Sequence, residues 1–235
     1  MTAPRRMDEV YRRRRDLHPP EYYSLFRPGQ HYLIRRREED LLRFLVRQGI
    51  SSLRGLRILD VGCGGGEWML RFQLYGCLPE DLVGIEVQAE RARNARLRTR
   101  AGLVAEADAV RLPFADGSFD LVHQSTLLTL VLEPEQRARI AAEMLRVLRP
   151  DGAVLWYDFR YTNPRNRDAR GIGRREIRRL FPGCRPVLRS LTLVPFLARR
   201  LAPWSPVACR VLESLPPLRT HYLALIRKPG TSRGA

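Results

Sequence analysis

Eight consecutive residues, Leu59-Asp60-Val61-Gly62-Cys63-Gly64-Gly65-Gly66, constrain this chain more than any other stretch of it. An apolar run that carries a carboxylate and then passes into glycine is how a buried strand hands over to a tight turn ahead of a helix. Glycine accepts positive φ and lets backbone come close to a ligand, and Asp60 stands where it can anchor the turn or accept from a cationic group. Such a turn alone is common among α/β proteins, so its chemistry has to be tested. The dinucleotide fingerprint GxGxxG fails in both placements, because a start at Gly62 puts Glu67 at the third glycine and a start at Gly64 puts Met69 there. An acid directly after the turn also opposes a pyrophosphate by like-charge repulsion.

Strand-like and helix-like segments alternate around this turn. Strands are predicted over Arg57 to Val61, Leu82 to Glu86, Leu103 to Ala107, Phe119 to His123 and Ala153 to Tyr157. Helices are predicted over Arg35 to Gln48, after the glycine turn, over Ala89 to Arg100 and from Pro134 to Leu148. Arg149-Pro150-Asp151-Gly152 reads as a turn, Arg174 to Leu180 as a helix, and Val187 to Val194 and His221 to Ile226 as strands. Alternation of this kind implies crossover connections and a mostly parallel sheet. In such folds the carboxyl ends of the strands converge on one crevice, and two more acids stand at strand ends. Glu86, followed by Val87, can accept from both hydroxyls of a ribose while Val87 offers an apolar face to a base. Asp108, with Ala109 beside it, can accept from an adenine amino group.

The apolar fraction of 44% is enough for a packed core. Cys63, Cys77, Cys184 and Cys209 are widely spaced and form no CxxC pair, so no structural metal is expected. No stretch approaches the roughly 18 to 20 apolar residues of a membrane span, and the arginine-rich start lacks an apolar leader; a cytoplasmic setting is expected. The net charge of +17 would suit an acidic partner or nucleic acid, yet Lys228 is the only lysine. An excess that is almost wholly arginine is what a GC-rich coding sequence produces, and no RNA-binding signature accompanies it.

In order along the chain, LDVGCGGGEW, Glu86, Asp108, LPFADGSFDLV and LRPDGAVLWYD resemble the successive motifs of the class I S-adenosylmethionine-dependent methyltransferases, over roughly residues 55 to 160. The resemblance implies a Rossmann-like, doubly wound α/β fold with a seven-stranded sheet, mostly parallel with the last strand antiparallel. It places Asp60, Gly62, Gly64 and Gly66 around the methionine part of the cofactor, Glu86 and Val87 at the ribose and adenine, and Asp108 and Ala109 at the adenine edge. It also implies two parts, an arm or lid over residues 1–34 and a methyltransferase domain over residues 35–230. His123, Tyr157 and Asp158 are expected to face the transferred methyl group, with the arm around Tyr22, Tyr23 and His31 closing over them. The expected reaction is O-methylation of a hydroxylated small-molecule or glycan-type acceptor, His123 or Asp158 taking the hydroxyl proton. The competing classes are an RNA-directed methyltransferase using the arginine-rich surface and a cofactor-binding protein without turnover.

Overall fold

The computed structural model describes residues 3–164 and 166–228; residues 1–2 and 229–230 of the expected arm and domain lie outside them. Seven strands form one sheet in the order β3-β2-β1-β4-β5-β7-β6. They are β1 (Ile58–Val61), β2 (Leu82–Glu86), β3 (Leu103–Glu106), β4 (Phe119–Ser125), β5 (Leu148–Phe159), β6 (Arg185–Leu193) and β7 (Arg219–Arg227). The pairs from β3 through to β5 are parallel, and β7 runs antiparallel to both β5 and β6. This is the mostly parallel, Rossmann-like sheet with an antiparallel last strand that the resemblance implied.

The central strands are apolar on both faces because helices cover both. Alternate residues, Leu59, Val61, Val83, Ile85, Val122 and Val154, pack toward α5 (Pro134–Val147) and α6 (Arg174–Leu180). Their neighbours Ile58, Leu82, Leu121 and Leu155 pack toward α2 (Pro28–Arg47), α3 (Glu67–Leu74) and α4 (Ala89–Thr99). Register pairs Asp60 with Gly84 on one side and His123 on the other, so the carboxyl ends of β1, β2 and β4 lie side by side.

The expected boundary at residues 34 and 35 falls inside continuous helix. α2 starts at Pro28, whose missing N–H and fixed φ suit a first turn. Tyr32 and Leu33 in its first half are buried against Leu193, Ala198 and Cys209, and so belong to the body of the fold. The stretch before it is helical as well. α1 (Ala3–Leu17) has no broad apolar stripe, yet it docks through the fully buried Val10. Two further helices, α7 (Pro195–Leu201) and α8 (Pro206–Ser214), stand in the less regular stretch after β6, and each opens on a proline in its first turn. The turn at Arg149–Gly152 survives as a bulge within β5: Leu148 pairs with Phe119 and Ala153 with Leu121, while Asp151 takes φ 66°. No described helix is long and apolar enough to cross a membrane.

Candidate functional site

The chain leaves β1 through glycines at positive φ, 72° at Gly62, 59° at Gly64 and 82° at Gly66, and enters α3 directly. At Gly66 a Cβ would also lie 2.6 Å from Thr99 Cγ2, so any other residue meets both strain and a clash. The turn is tied to β2 by two backbone hydrogen bonds, Gly62 and Cys63 N–H both donating to the Ile85 carbonyl at 2.9 Å. Glu86 completes the anchorage. Its Oε2 accepts from Gly64 N–H at 3.0 Å, and its Oε1 accepts from Val87 and Gln88 N–H at 2.9 and 3.1 Å. A carboxylate has roughly four acceptor positions. Glu86 is therefore a loop anchor that keeps capacity for one further donor, and it lines the cleft beside the loop.

That cleft has a volume of about 390 Å³, within the usual range for a small-molecule site. It lies outside the carboxyl ends of the parallel strands, where ligands of open α/β sheets bind. The structure brings Asp60, Gly62, Gly64, Glu86, Val87, Asp108 and Ala109 together on its wall, and Gly66 stands just behind, as the cap of α3. Asp108 folds its Oδ1 back to accept from Val110 N–H at 3.1 Å, which fixes the carboxylate. Asp60 is buried, and its Oδ1 meets His123 Nδ1 at 2.7 Å; its Oδ2 makes no hydrogen bond among the described residues.

His123, Tyr157 and Asp158 do not line this cleft. Tyr157 and Asp158 are consecutive in β5, so they point to opposite faces of the sheet and cannot both face one pocket. His123 packs under Trp68 and Phe72, ring centres 5.4 and 4.9 Å away. Tyr157 hydrogen-bonds Thr192 Oγ1 at 2.9 Å and stacks on His221, and burial raises its pKa. Asp158 accepts from Thr129 N–H at 3.1 Å and Phe159 N–H at 3.0 Å. The expected closing residues are elsewhere too: Tyr22 stacks on His18 and carries the Arg199 guanidinium at 4.3 Å, and neither Tyr23 nor His31 reaches the cleft. The cover comes from Arg6, Met7 and Tyr11 of α1. α1 is held by Gln88 Nε2 to Asp8 at 2.5 Å and Arg13 to Asp168 at 2.6 Å.

Burial pushes Asp158 up to about 6 against the opposing hydrogen bonds, and this has a stability signature. The folded state holds the proton more tightly than an unfolded chain, where the carboxyl titrates near roughly 3.9. The contribution is therefore fully present below about pH 4 and lost as pH rises through about 6. Melting curves of wild type and Asp158→Asn are expected to diverge with rising pH over that window, wild type losing ground, and to run parallel above pH ~7. A difference that does not vary with pH would contradict the assignment.

A family model described as a methyltransferase domain matches residues 59–156, the stretch that builds the glycine turn and all three acids. Over that stretch, which is less than half of its length, the chain is similar to S-adenosylmethionine-dependent methyltransferases, and its fold is similar to theirs as well. An uncharacterized methyltransferase of Mycolicibacterium gilvum is 41% identical over 110 residues, covering 46% of this chain and 41% of that protein. The 27-O-demethylrifamycin SV methyltransferase of Amycolatopsis mediterranei is 37% identical over 116 residues, 47% of this chain and 42% of the relative. The matched stretch thus spans less than half the length of either relative. The fold likeness extends further, since a SAM dependent methyltransferase of Aquifex aeolicus superposes with a TM-score of 0.57 over 97% of this chain and 99% of its own, at 14% identity.

The residues that line the cleft fit S-adenosylmethionine, the cofactor named for the solved neighbours. Three carboxylates and a turn without a phosphate cradle suit a nucleoside that carries a sulfonium and an ammonium. Glu67, in the first turn of α3, keeps a negative charge where a dinucleotide would put its phosphates. Sequence reasoning missed Arg37, on α2, which lines the same cleft. Its guanidinium lies 3.6 Å from the centre of the Tyr157 ring and 4.2 Å from that of Trp68, and Nη2 donates to Ser125 Oγ at 2.6 Å. Loss of solvent lowers its pKa to about 10. Its signal in the sequence is slight, one arginine in the run Arg35-Arg36-Arg37.

Proposed function

We propose that this protein is an S-adenosylmethionine-dependent methyltransferase that methylates a hydroxyl oxygen of a small-molecule acceptor. The observation that carries the reading is the series Asp60, Glu86 and Asp108, at three neighbouring strand ends on the wall of one cleft. When bound, the cofactor supplies a methyl group already activated by a sulfonium. The chain's part is to hold, orient and keep dry. Glu86 has one acceptor position left for a ribose hydroxyl, Asp108 and Ala109 frame the adenine edge, Val87 gives the base an apolar face, and Asp60 Oδ2 stands open to a cationic group. Met7 and Tyr11 exclude water from above. Alignment of this kind accounts for much of the rate in a displacement whose electrophile needs no further activation. The preference for oxygen is supported by the rifamycin relative, whose name specifies an O-methylation. His123 is read as a residue that positions Asp60, since its Nδ1 is engaged there.

Adenosylmethionine and adenosylhomocysteine are expected to raise the melting temperature and to give calorimetric heat, and NAD to give neither, because a ligand selective for the folded state stabilises it by mass action. Methyl-labelled cofactor offered with a panel of alcohols, phenols, amines and thiols then tests the acceptor atom by mass spectrometry. Label on nitrogen or carbon would overturn the oxygen assignment. Binding without transfer across the panel and a cell extract would leave a cofactor-binding protein.

A further inference from the structure

From Pro195 to Leu215, where α7 and α8 follow β6, the chain leaves large apolar side chains open to solvent. Phe196 is 67% exposed, Trp204 88%, Val207 71% and Val211 62%. Cys209 and Glu213 form the inward face of α8, while Trp204, Val207 and Val211, spaced by three and four residues, share the outward one. A second patch adjoins this one. α7 packs so closely on the start of α2 that a Cβ at Gly29 would come 2.3 Å from Arg199 Cα. The Arg199 guanidinium donates to Gln30 Oε1 at 3.2 Å and lies 4.3 Å from the centre of the Tyr22 ring. Phe196 stands one turn before Arg199, and Phe26, 98% exposed, three residues before Gly29. The two patches therefore flank the contact between α2 and α7. A single exposed apolar residue is ordinary, but a group that includes three aromatic rings marks a surface that meets a partner.

The charge around this face is mainly positive. Glu213 is the single acid from Pro195 to Leu215, and it is buried and bonded to Arg36 and Tyr32. Glu21 is the one acid of the connection from His18 to Arg27. Arg200, one turn after Phe196, and Arg27, next to Phe26, are exposed and pair with no carboxylate among the described residues. A second copy of the chain is a poor occupant, since each copy carries a net charge of +17. Single-stranded RNA would stack on the rings but has no use for Val207 and Val211. An anionic bilayer uses every part: rings in the headgroup layer, valines at the acyl boundary, guanidiniums on lipid phosphates. A coding bias toward arginine does not put phenylalanine and tryptophan on the same face. β6 runs in the direction of β5, both being antiparallel to β7, so α7 starts at the carboxyl edge of the sheet, the edge on which the cleft opens.

We propose that the face built by Phe26, Phe196, Trp204, Val207 and Val211 seats the protein on an anionic lipid surface, lying on the bilayer without spanning it. The inference is independent of the methyl-transfer reading. The test mixes the full chain with vesicles of phosphatidylcholine, alone or with about one third phosphatidylglycerol, and reads the bound fraction by sedimentation. The chain is expected to partition about tenfold or more better into the anionic vesicles, and bromine-labelled acyl chains to quench a part of its fluorescence that is absent in Trp204→Phe. A charge of +17 adsorbs to anions by itself, so two variants are compared. The triple variant Phe26→Ser, Phe196→Ser, Trp204→Ser is expected to lose about tenfold in binding. The pair Arg178→Gln, Arg179→Gln removes exposed arginines of α6, on the other side of the sheet, and is expected to lose less than about threefold. Melting temperatures close to wild type confirm that both variants fold. The proposal is overturned if the two vesicle types take up the chain equally, if the α6 pair loses as much as the triple variant, or if Trp204 is not quenched. It is equally overturned if the triple variant keeps its vesicle binding but loses binding to a single-stranded oligoribonucleotide, or dissolves a dimer seen by sedimentation equilibrium.

Discussion

Replacing Glu86 with alanine is expected to weaken adenosylhomocysteine binding by about 1.5 to 3 kcal/mol, roughly 10- to 150-fold, the range for hydrogen bonds to a charged partner. The same change strips an acceptor from three backbone N–H groups, those of Gly64, Val87 and Gln88. The melting temperature is therefore expected to fall as well, although the cleft admits water to replace part of what is lost. Glu86→Gln removes the charge and keeps one acceptor oxygen, which can serve Val87 and Gln88 N–H, but its amide NH2 then faces the Gly64 N–H donor, so it is expected to fall between wild type and alanine in both affinity and stability. Calorimetry and thermal melts on the three proteins decide the matter. Unchanged affinity in Glu86→Ala would move the ribose site elsewhere and break the link between loop anchorage and cofactor binding.

The parts of the site that were legible in the sequence are those where polarity and strand ends coincide. Asp60, Glu86 and Asp108 stand out because a carboxylate at the end of an apolar run has few structural reasons to be there. The predicted limits of β2 and α6 match the structure for the same local reason, an apolar run or helical stripe bounded by clear stops. The rest of the cleft's surroundings was not legible, for two different reasons. Tyr157 and Asp158 are adjacent in sequence, but the period of two along a strand sends them to opposite faces of the sheet. Arg37 and α1 are another matter. Neither the place of one arginine on a helix nor the docking of a polar helix through Val10, Met7 and Tyr11 follows from local pattern, because both depend on how distant segments pack.

His123→Ala is expected to be the most destabilising single change at the site, by about 3 to 5 kcal/mol, since it empties a ring-sized space beneath Trp68 and Phe72 and leaves the Asp60 carboxylate buried beside it. The base hypothesis predicts something different, lost turnover with cofactor affinity intact and one limb of the pH profile removed. The geometry opposes that outcome. His123 Nδ1 is engaged with Asp60 Oδ1 at 2.7 Å and the ring does not line the cleft. A residue that acts through Asp60 changes cofactor affinity, because Asp60 lies on the cleft wall where the cationic end of the ligand is expected. His123→Asn carries an amide N–H close to where Nδ1 stands, so it is expected to restore much of the affinity lost in alanine while having no group that titrates. A double-mutant cycle with Asp60→Asn, read by adenosylhomocysteine calorimetry, then measures the coupling, with about 1 to 3 kcal/mol expected for a contacting buried pair. Additive effects on affinity, together with a lost pH limb in turnover that Asn does not restore, would return His123 to the role of base.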